Sequence, residues 1–546
     1  MKNIVKKTVK TMRSNRSAVQ PYADGGKNAP WCDTRRNVVR RPSQRGATGV
    51  AAWCVRKAPS VLLRTNRCAA CFLLLLPMCV PTARAAVPDT LTVTLSEAIG
   101  MAQEQSSDAM AARHTLESAE WSYRYYRADR LPSLTLSSSP NLNRQLNSIT
   151  QPDGTNLFMR QNQLSTNMSL SISQNIVQTG GNLFVRSSLQ RQDEFENNWH
   201  AYSSTPFVIG YSQSLFGYNS LKWEQRMAPL RYQRAQKAYR ETMELIASRA
   251  SSYFFSLASA QTELDIARQN QAVADTLQRY AQGRYNIGTI TENEMLQLEV
   301  SKLSEETDRL NAEMDVEDAM QALRSYLGIQ QDLVLRVLPD TLIPHVQVDL
   351  ETAIGLAMQN SPDPDYYRLN RLESESNLAA AKANRGLKAD FYVQFGLSQT
   401  GPSLSDSYRH PLNQEYASIG LSLPLLDWGR GKGRVRVAQS QLELVETQTE
   451  QGMQDFHQNV SKMVRQFNLQ AYRVEVAYRT RAMALRRYEV ARWLYIQERS
   501  TLLELNSSIA EKDAAQRSFI AAIRTYWNLY YGLRSMCGNE VFGNLP

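Results

Sequence analysis

The chain is written twice, and that duplication limits what it can fold into more than any other feature. Leu95-Ser-Glu-Ala-Ile99-Gly-Met-Ala102 recurs as Leu350-Glu-Thr-Ala-Ile354-Gly-Leu-Ala357, an offset of 255 residues. Ile209-Gly-Tyr-Ser-Gln-Ser-Leu-Phe216 recurs as Ile419-Gly-Leu-Ser-Leu-Pro-Leu-Leu426 at an offset of 210, which holds through Tyr285/Tyr495, Thr291/Thr501 and Glu294/Glu504. The first copy therefore carries 45 extra residues between Ala102 and Ile209. Met168–Gln190, two strand-like runs about Gly180-Gly181, is the candidate insertion, within an extra hairpin spanning about 140–205.

Each copy reads as helix, strand, loop, strand, very long helix, short turn, helix. In the first long helix Met243, Ile246, Ala250, Tyr253, Leu257, Ala260, Leu264, Ala267, Gln271 and Ala274 alternate steps of three and four, the spacing of a coiled-coil seam. Asn219–Tyr285 gives 67 residues, about 100 Å of helix at 1.5 Å per residue, and Trp428–Tyr495 gives a similar rod. Beyond the turn, Leu296, Val300, Leu303, Leu310 and Met314 are expected to continue that seam antiparallel to the first rod.

The strands alternate differently. Phe207, Ile209, Tyr211 and Leu215 interleave with Val208, Gly210, Ser212 and Ser214. Phe391, Val393, Phe395 and Leu397 repeat the pattern, as do Ile419, Leu421, Leu423 and Leu425. One face is apolar and the other small and hydroxylic, which suits a sandwich strand or a membrane barrel strand. Aromatics at strand ends (Phe216, Tyr218, Tyr416, Trp428) favour the barrel, with the apolar residues facing lipid. The duplicated core supplies four strands per chain, too few to close a barrel whose open edges would leave backbone groups unpaired in lipid. Several chains must share one barrel.

Charge divides the chain as well. Of a net +10, residues 1–85 hold 17 Lys/Arg against Asp24 and Asp33, which leaves about −5 for the remainder. The basic balance belongs to a presequence, and nucleic acid loses its main support as a partner. Arg64 and Arg67 precede an apolar run, Cys68–Val80, that ends at Thr82-Ala83-Arg84-Ala85. This is the build of a secretory signal peptide, and cleavage is expected after Ala85. The true start is expected downstream of Met1, near Val55 or Val61. Lipidation at Cys79 is the competing expectation, with the bulky Met78 against it. Five of six cysteines fall in this segment, so the mature chain keeps Cys537 and no intrachain disulfide framework. The division is 1–85 presequence, 86–347 first repeat and 348–546 second repeat with C-terminal tail.

From about Leu91 to Leu533 these residues resemble the TolC-like outer-membrane efflux family. The resemblance rests on the Ala-Ile-x-x-Ala helix starts at Ala98 and Ala353 and on the strand ends Ser-Gln-Ser-Leu-Phe216 and Ser-Leu-Pro-Leu-Leu426. It rests also on the turn Arg284-Tyr-Asn-Ile-Gly-Thr-Ile-Thr-Glu-Asn-Glu294, and on the order and duplication of all three. It implies a mainly α protein whose homotrimer forms a twelve-stranded β-barrel in the outer membrane, continued by an α-helical coiled-coil tunnel through the periplasm. It further implies a passive, non-enzymatic exit duct without cofactor. The implied partners are a periplasmic adaptor (membrane fusion protein), an inner-membrane efflux pump and outer-membrane lipid. The helix turns become the periplasmic tip where the adaptor docks. Ile287, Gly288, Thr289 and Thr291 match the first tip, and Gln497, Glu498, Arg499 and Ser500 occupy the second, which lacks the usual glycine. An acidic ring before the second tip falls on Glu489 and Arg492, as a pore constriction or as solvated helix charges. The extra hairpin either extends above the membrane or adds strands to the barrel. A duct for type I protein secretion and a soluble periplasmic coiled-coil scaffold are the other readings.

Other motifs fail on their chemistry. Gly429-Arg-Gly-Lys-Gly433 lacks the spacer and the Ser/Thr of a phosphate loop. The cations Arg430, Lys432, Arg434 and Arg436 sit where strand becomes helix and suit lipid head groups or a solvated face. The five histidines show no metal spacing, and no nucleophile elbow or HExxH occurs.

Overall fold

The structure is a computed structural model that describes residues 90–543 except Asp332, Asp340, Thr341, Leu342, His345 and Glu498. The chain divides into two units, Met1–Thr82 and Ala83–Pro546, and every described residue belongs to the second. The expected start, the cleavage after Ala85 and the lipidation at Cys79 lie outside the described residues.

The duplication appears as matched element lengths. The first copy runs β1 (Thr90–Val93), α1 (Leu95–Gln105), α2 (Ser107–Ala128), β2 (Ser133–Thr150), β3 (Asn156–Ile176), β4 (Gly181–Glu194), β5 (Trp199–Leu215), α3 (Ser220–Asn286) and α4 (Glu292–Leu327). β6 (Val334–Val337) closes the first copy, and the second runs α5 (Leu350–Asn360), α6 (Asp363–Arg385), β7 (Lys388–Gly401), α7 (Asp406–Arg409), β8 (Leu412–Ser422), α8 (Arg430–Ile496) and α9 (Leu502–Cys537). Helices α1 and α5 have 11 residues each, α3 and α8 67, and α4 and α9 36. These three pairs of helices match to the residue, α2 and α6 differ by one (22 and 23 residues), and most of the extra length of the first copy lies in β3 and β4.

The opening helix expected in each copy is broken in two by a serine in extended conformation, Ser106 in the first and Ser361 in the second. Ser106 caps α2 by accepting from Ala109 N–H, and Ser361 leads into Pro362 at the start of α6. The break lets short α1 and α5 lie flat on the long helices. Ala98, Ala102, Ala353 and Ala357 are all 0% exposed, because these methyls set the approach distance. A larger side chain there forces the helices apart. Around them lies the main core, where Phe254, Phe255 and Leu257 of α3 meet Phe467 of α8 and Phe519, Ile523 and Tyr526 of α9. β1 pairs in parallel with β6 beside this core and ties the start of the first copy to its end.

The seam expected on α3 is confirmed at Ile246, Ala250, Leu257, Leu264, Ala267 and Ala274, all buried. It is only part of the buried face: Ala247, Ser251, Phe254, Phe255, Ala258 and Ile266 are buried too, since α3 also packs on α1, α2, α6 and α9. The continuation expected on α4 is corrected. Leu296, Val300, Leu303, Leu310 and Met314 are exposed, and Leu298, Ala312, Leu323 and Leu327 carry the contact instead.

The second layer is one antiparallel sheet in the order β2-β3-β4-β5-β7-β8, six strands where the duplicated core alone supplies four. The insertion is the β3–β4 hairpin, and it is hydrogen-bonded into the sheet. A bulge in β5 around Pro206 shifts the register against both neighbours, as expected where proline cannot donate to the ladder. Strand β8 ends at Ser422, so Leu423 and Leu425, expected on its apolar face, lie beyond it. Pro424, with no N–H, cannot continue the pairing.

Candidate functional site

The far ends of the long helices close in two turns of one design. In the first, α3 stops at Asn286 and Gly288 takes φ +80°, with open space where a Cβ would stand. Its glycine answers to the backbone alone. Thr289 N–H donates to the Arg284 carbonyl at 3.0 Å, and Gly288 N–H to that of Tyr285 at 2.9 Å. Thr291 then starts α4 through a reciprocal cap with Glu294, 3.3 Å one way and 3.2 Å the other. The second turn repeats the closing bond 210 residues on, Arg499 N–H to the Leu494 carbonyl at 2.9 Å, and Thr501 caps α9 by accepting from Glu504 N–H at 3.3 Å. It does so without glycine. The residue in register with Gly288 is Glu498, which lies outside the described residues. Ser500 donates to Glu504 at 2.7 Å, and Gln497 N–H to the Trp493 carbonyl at 3.2 Å.

The structure brings these two turns together. Burial raises the Tyr495 phenol above its ordinary value, Arg284 of the first turn draws it back down, and Tyr280 and Glu294 act on it too. Arg492 joins Tyr280, Tyr488 and Tyr495 around a cavity of about 560 Å³ between α3 and α8. Glu489 is exposed, and its ion-pair partner among the described residues is Arg486, 3.4 Å away on the same helix. Ile287 projects from the first turn, 74% exposed.

Two apolar stripes lead away from the turns: the first was expected as a buried seam, and the second was not expected from the sequence. On α4, Leu296, Val300, Leu303, Leu310 and Met314 keep coiled-coil spacing and are exposed. On α8, Leu469, Tyr472, Val476, Met483, Val490 and Trp493 do the same, with Arg479 and Arg486 in the intervening places. The signal was present in the α4 periodicity, but periodicity does not say which helix fills the groove.

At the opposite end, Phe207, Ile209, Tyr211 and Leu215 of β5, Phe391, Val393 and Phe395 of β7, and Ile419 and Leu421 of β8 share one face of the sheet. Phe216 and Trp428, the residues that turn strand into long helix, take positive φ and stand 71% and 90% exposed. Tyr416 does not join them: it pairs with Gln394 and lies on the other face. Asp427 accepts from Gly429 N–H at 2.9 Å and Gly431 N–H at 2.7 Å. A carboxylate already fills the place where a phosphate would sit, so the glycine-rich start of α8 is a helix cap.

Residues 182–329 and 353–539, more than half of the chain, match the profile of the outer membrane efflux protein family. The chain belongs to that family. The efflux protein also shares its fold with solved channels. The CmeC outer membrane channel of Campylobacter jejuni is 13% identical, with a TM-score of 0.59 over 83% of this chain and 87% of that one. The outer-membrane channel OprN is 14% identical, with a TM-score of 0.59 over 82% and 90%. The MtrE outer membrane channel of Neisseria gonorrhoeae, seen in its open state, is 14% identical, with a TM-score of 0.53 over 82% and 89%. No curated protein matches the sequence. The long helices are therefore those of a periplasmic tunnel, and the sheet carries the barrel strands of an outer-membrane efflux channel. The family is one of channel proteins, not of enzymes.

Proposed function

We propose that three copies of this efflux protein close into one passive exit duct for small molecules, fed by an inner-membrane pump through a periplasmic adaptor that docks on the two turns. The carrying observation is the pair of stripes. They begin at one level, Leu296 just after the first turn and Trp493 just before the second, and run up the tunnel on helices of opposite direction. Charge matches across them. Glu299 and Glu306 flank the α4 stripe without an ion pair among the described residues. Arg479 and Arg486 lie in the α8 stripe, 74% and 77% exposed, and among the described residues pair with Glu475 and Glu489 of their own helix. The α4 stripe of one copy against the α8 stripe of the next buries both and closes the tunnel wall.

In that arrangement Glu489 and Arg492, each one residue before a stripe residue, stand at the edge of the lumen and form the constriction. Ile287, Gly288, Thr289 and Thr291 of the first turn, with Gln497, Arg499 and Ser500 of the second, offer the adaptor a rim of apolar, hydroxyl and charged groups, and Glu498 belongs to the same docking sequence. The test is Ile287→Glu, expressed with its pump and adaptor in a host lacking its own outer-membrane channel. Ile287 is largely exposed, so the trimer should reach the outer membrane as before while resistance to exported toxicants is lost. Full resistance removes the first turn from the docking site.

A further inference from the structure

The inserted hairpin lies at the level of the other strands. Along the hydrogen-bonded rows, Leu134 of β2 stands opposite Ile172 of β3, Ile172 opposite Val185 of β4, Val185 opposite Ile209 of β5, and Ile209 opposite Phe395 of β7. One step along, Leu136 meets Leu170. Residues directly opposite share a face, so the apolar face read as lipid-facing on β5, β7 and β8 extends over β4, β3 and β2, with Ser187 opposite Leu170 and Gln174 opposite Leu183 as polar members. Hydroxyls line the other side: Ser133 Oγ lies 2.8 Å from Ser173 Oγ, and Ser137 Oγ 2.7 Å from Ser169 Oγ.

The apolar band also slants. On β8 it is Leu421, Ile419 and Ala417, and the next residue on that face is Glu415, opposite Phe395. On β2 the band begins in the row of Phe395, at Leu134, and continues upward through Leu136, Ser138 and Pro140 to Leu142. A level membrane crossing tilted strands requires such a slide along the rows; a sheet facing a protein core has no reason for it.

The hairpin is anchored at its tunnel end. Asn219, the cap of α3, accepts from Lys222 N–H at 3.1 Å and donates to the Val177 carbonyl at 2.9 Å and the Gln178 carbonyl at 3.3 Å. Gln213 donates to the Thr179 carbonyl at 2.7 Å. Gly180 has φ +76°, and a Cβ there would stand 3.0 Å from Asn219 Cγ, so the turn fits only with glycine. In the second copy, which lacks the hairpin, the cap of α8 is Gly429, with no side chain to reach a neighbour.

We propose that the β3–β4 hairpin is membrane wall, so that three copies of the six-stranded sheet close a barrel of eighteen strands, β8 of each copy pairing with β2 of the next. This rests on the trimeric reading above. The even count makes β2 and β8 run in opposite senses, so the seam is antiparallel like every other pair. With strands about 4.8 Å apart and tilted about 40°, eighteen strands span about 36 Å across the backbone against about 24 Å for twelve. The outer mouth is then a wide vestibule, and selection by size falls to the periplasmic turns.

Nitroxide labels at single cysteines in a Cys537→Ala background test this in liposomes, with oxygen and a nickel chelate as relaxing agents. Sites are Leu170→Cys and Leu183→Cys on the hairpin, Ile209→Cys on β5, and Ser169→Cys on the opposite face. The proposal expects Leu170 and Leu183 to match Ile209, favouring oxygen at least fivefold over the chelate, and Ser169 to favour the chelate. Ile209 in lipid with Leu170 and Leu183 in water places the hairpin outside the membrane and overturns the proposal, leaving a barrel of four strands per copy. All four sites in water overturn the barrel reading itself.

Discussion

Replacing Leu303 by aspartate places a charge in the middle of the α4 stripe. Leu303 is 58% exposed in the single chain, and Val300 beside it 67%. Full burial of a leucine is worth about 1.5–3 kcal/mol, so covering what remains open contributes about 1–1.5 kcal/mol per interface. Aspartate loses that and adds the cost of an ion held against apolar neighbours, about 2 kcal/mol or more after relaxation. A trimer has three such interfaces, so the loss reaches about 10 kcal/mol, most of the stability of an ordinary domain. The assay is the heat-modifiable band: outer-membrane fractions warmed in detergent at graded temperatures and run unboiled. Leu303→Asp should lose its oligomer band tens of degrees below the parent, while Leu303→Met, which keeps volume and polarity, should track the parent. An aspartate variant that melts with the parent refutes the stripe as an interface.

Three further outcomes turn on single residues. Burial, with Asp363 adding repulsion, pushes the Glu241 carboxyl up to about 7. The folded state then binds a proton that the unfolded chain has released, so this site stabilises below about pH 4.5 and the contribution is lost as pH rises to about 7. Glu241→Gln should flatten that part of the thermal-stability profile, and parallel profiles count against it. Gly288→Val forces a branched side chain to φ +80° at about 1–2 kcal/mol, so exchange of the Thr289 amide, bonded to the Arg284 carbonyl, should quicken about tenfold by mass spectrometry, whereas an unchanged rate means the turn bears no strain. Glu489→Ala should change single-channel conductance in planar bilayers, and an identical trace removes Glu489 from the pore.

The features legible in the sequence were periodic or repeated. The offset of 210 located both long helices to within two residues, because unbroken helix and a capped turn are local properties of the chain. The turns were legible through Thr291 and Thr501, whose capping acids sit three residues on. The α4 stripe was legible as a pattern but not as an exposed one, since Leu303 looks the same whether its partner helix belongs to its own chain or to the next. The strand count was hidden for a related reason: Met168, Leu170 and Ile172 alternate with serines as well in a loop hairpin as in a wall. Only the pairing of Ile172 with Val185, and of Val185 with Ile209, gives them a common level. Leu423 and Leu425 continued the alternation past Pro424, where the ladder has no donor to use. The anchoring role of Asn219 depends on a contact with Val177, 42 residues earlier, which no local pattern announces.

The most direct test is the mass of the processed protein released from outer membranes in mild detergent, read by native mass spectrometry with heating in the source to strip the micelle. The account predicts a species of three chains, collapsing to one only after thermal unfolding. A folded single chain that stays dispersed in buffer without detergent would contradict it, because a sheet with both edges open has no other way to stand in lipid.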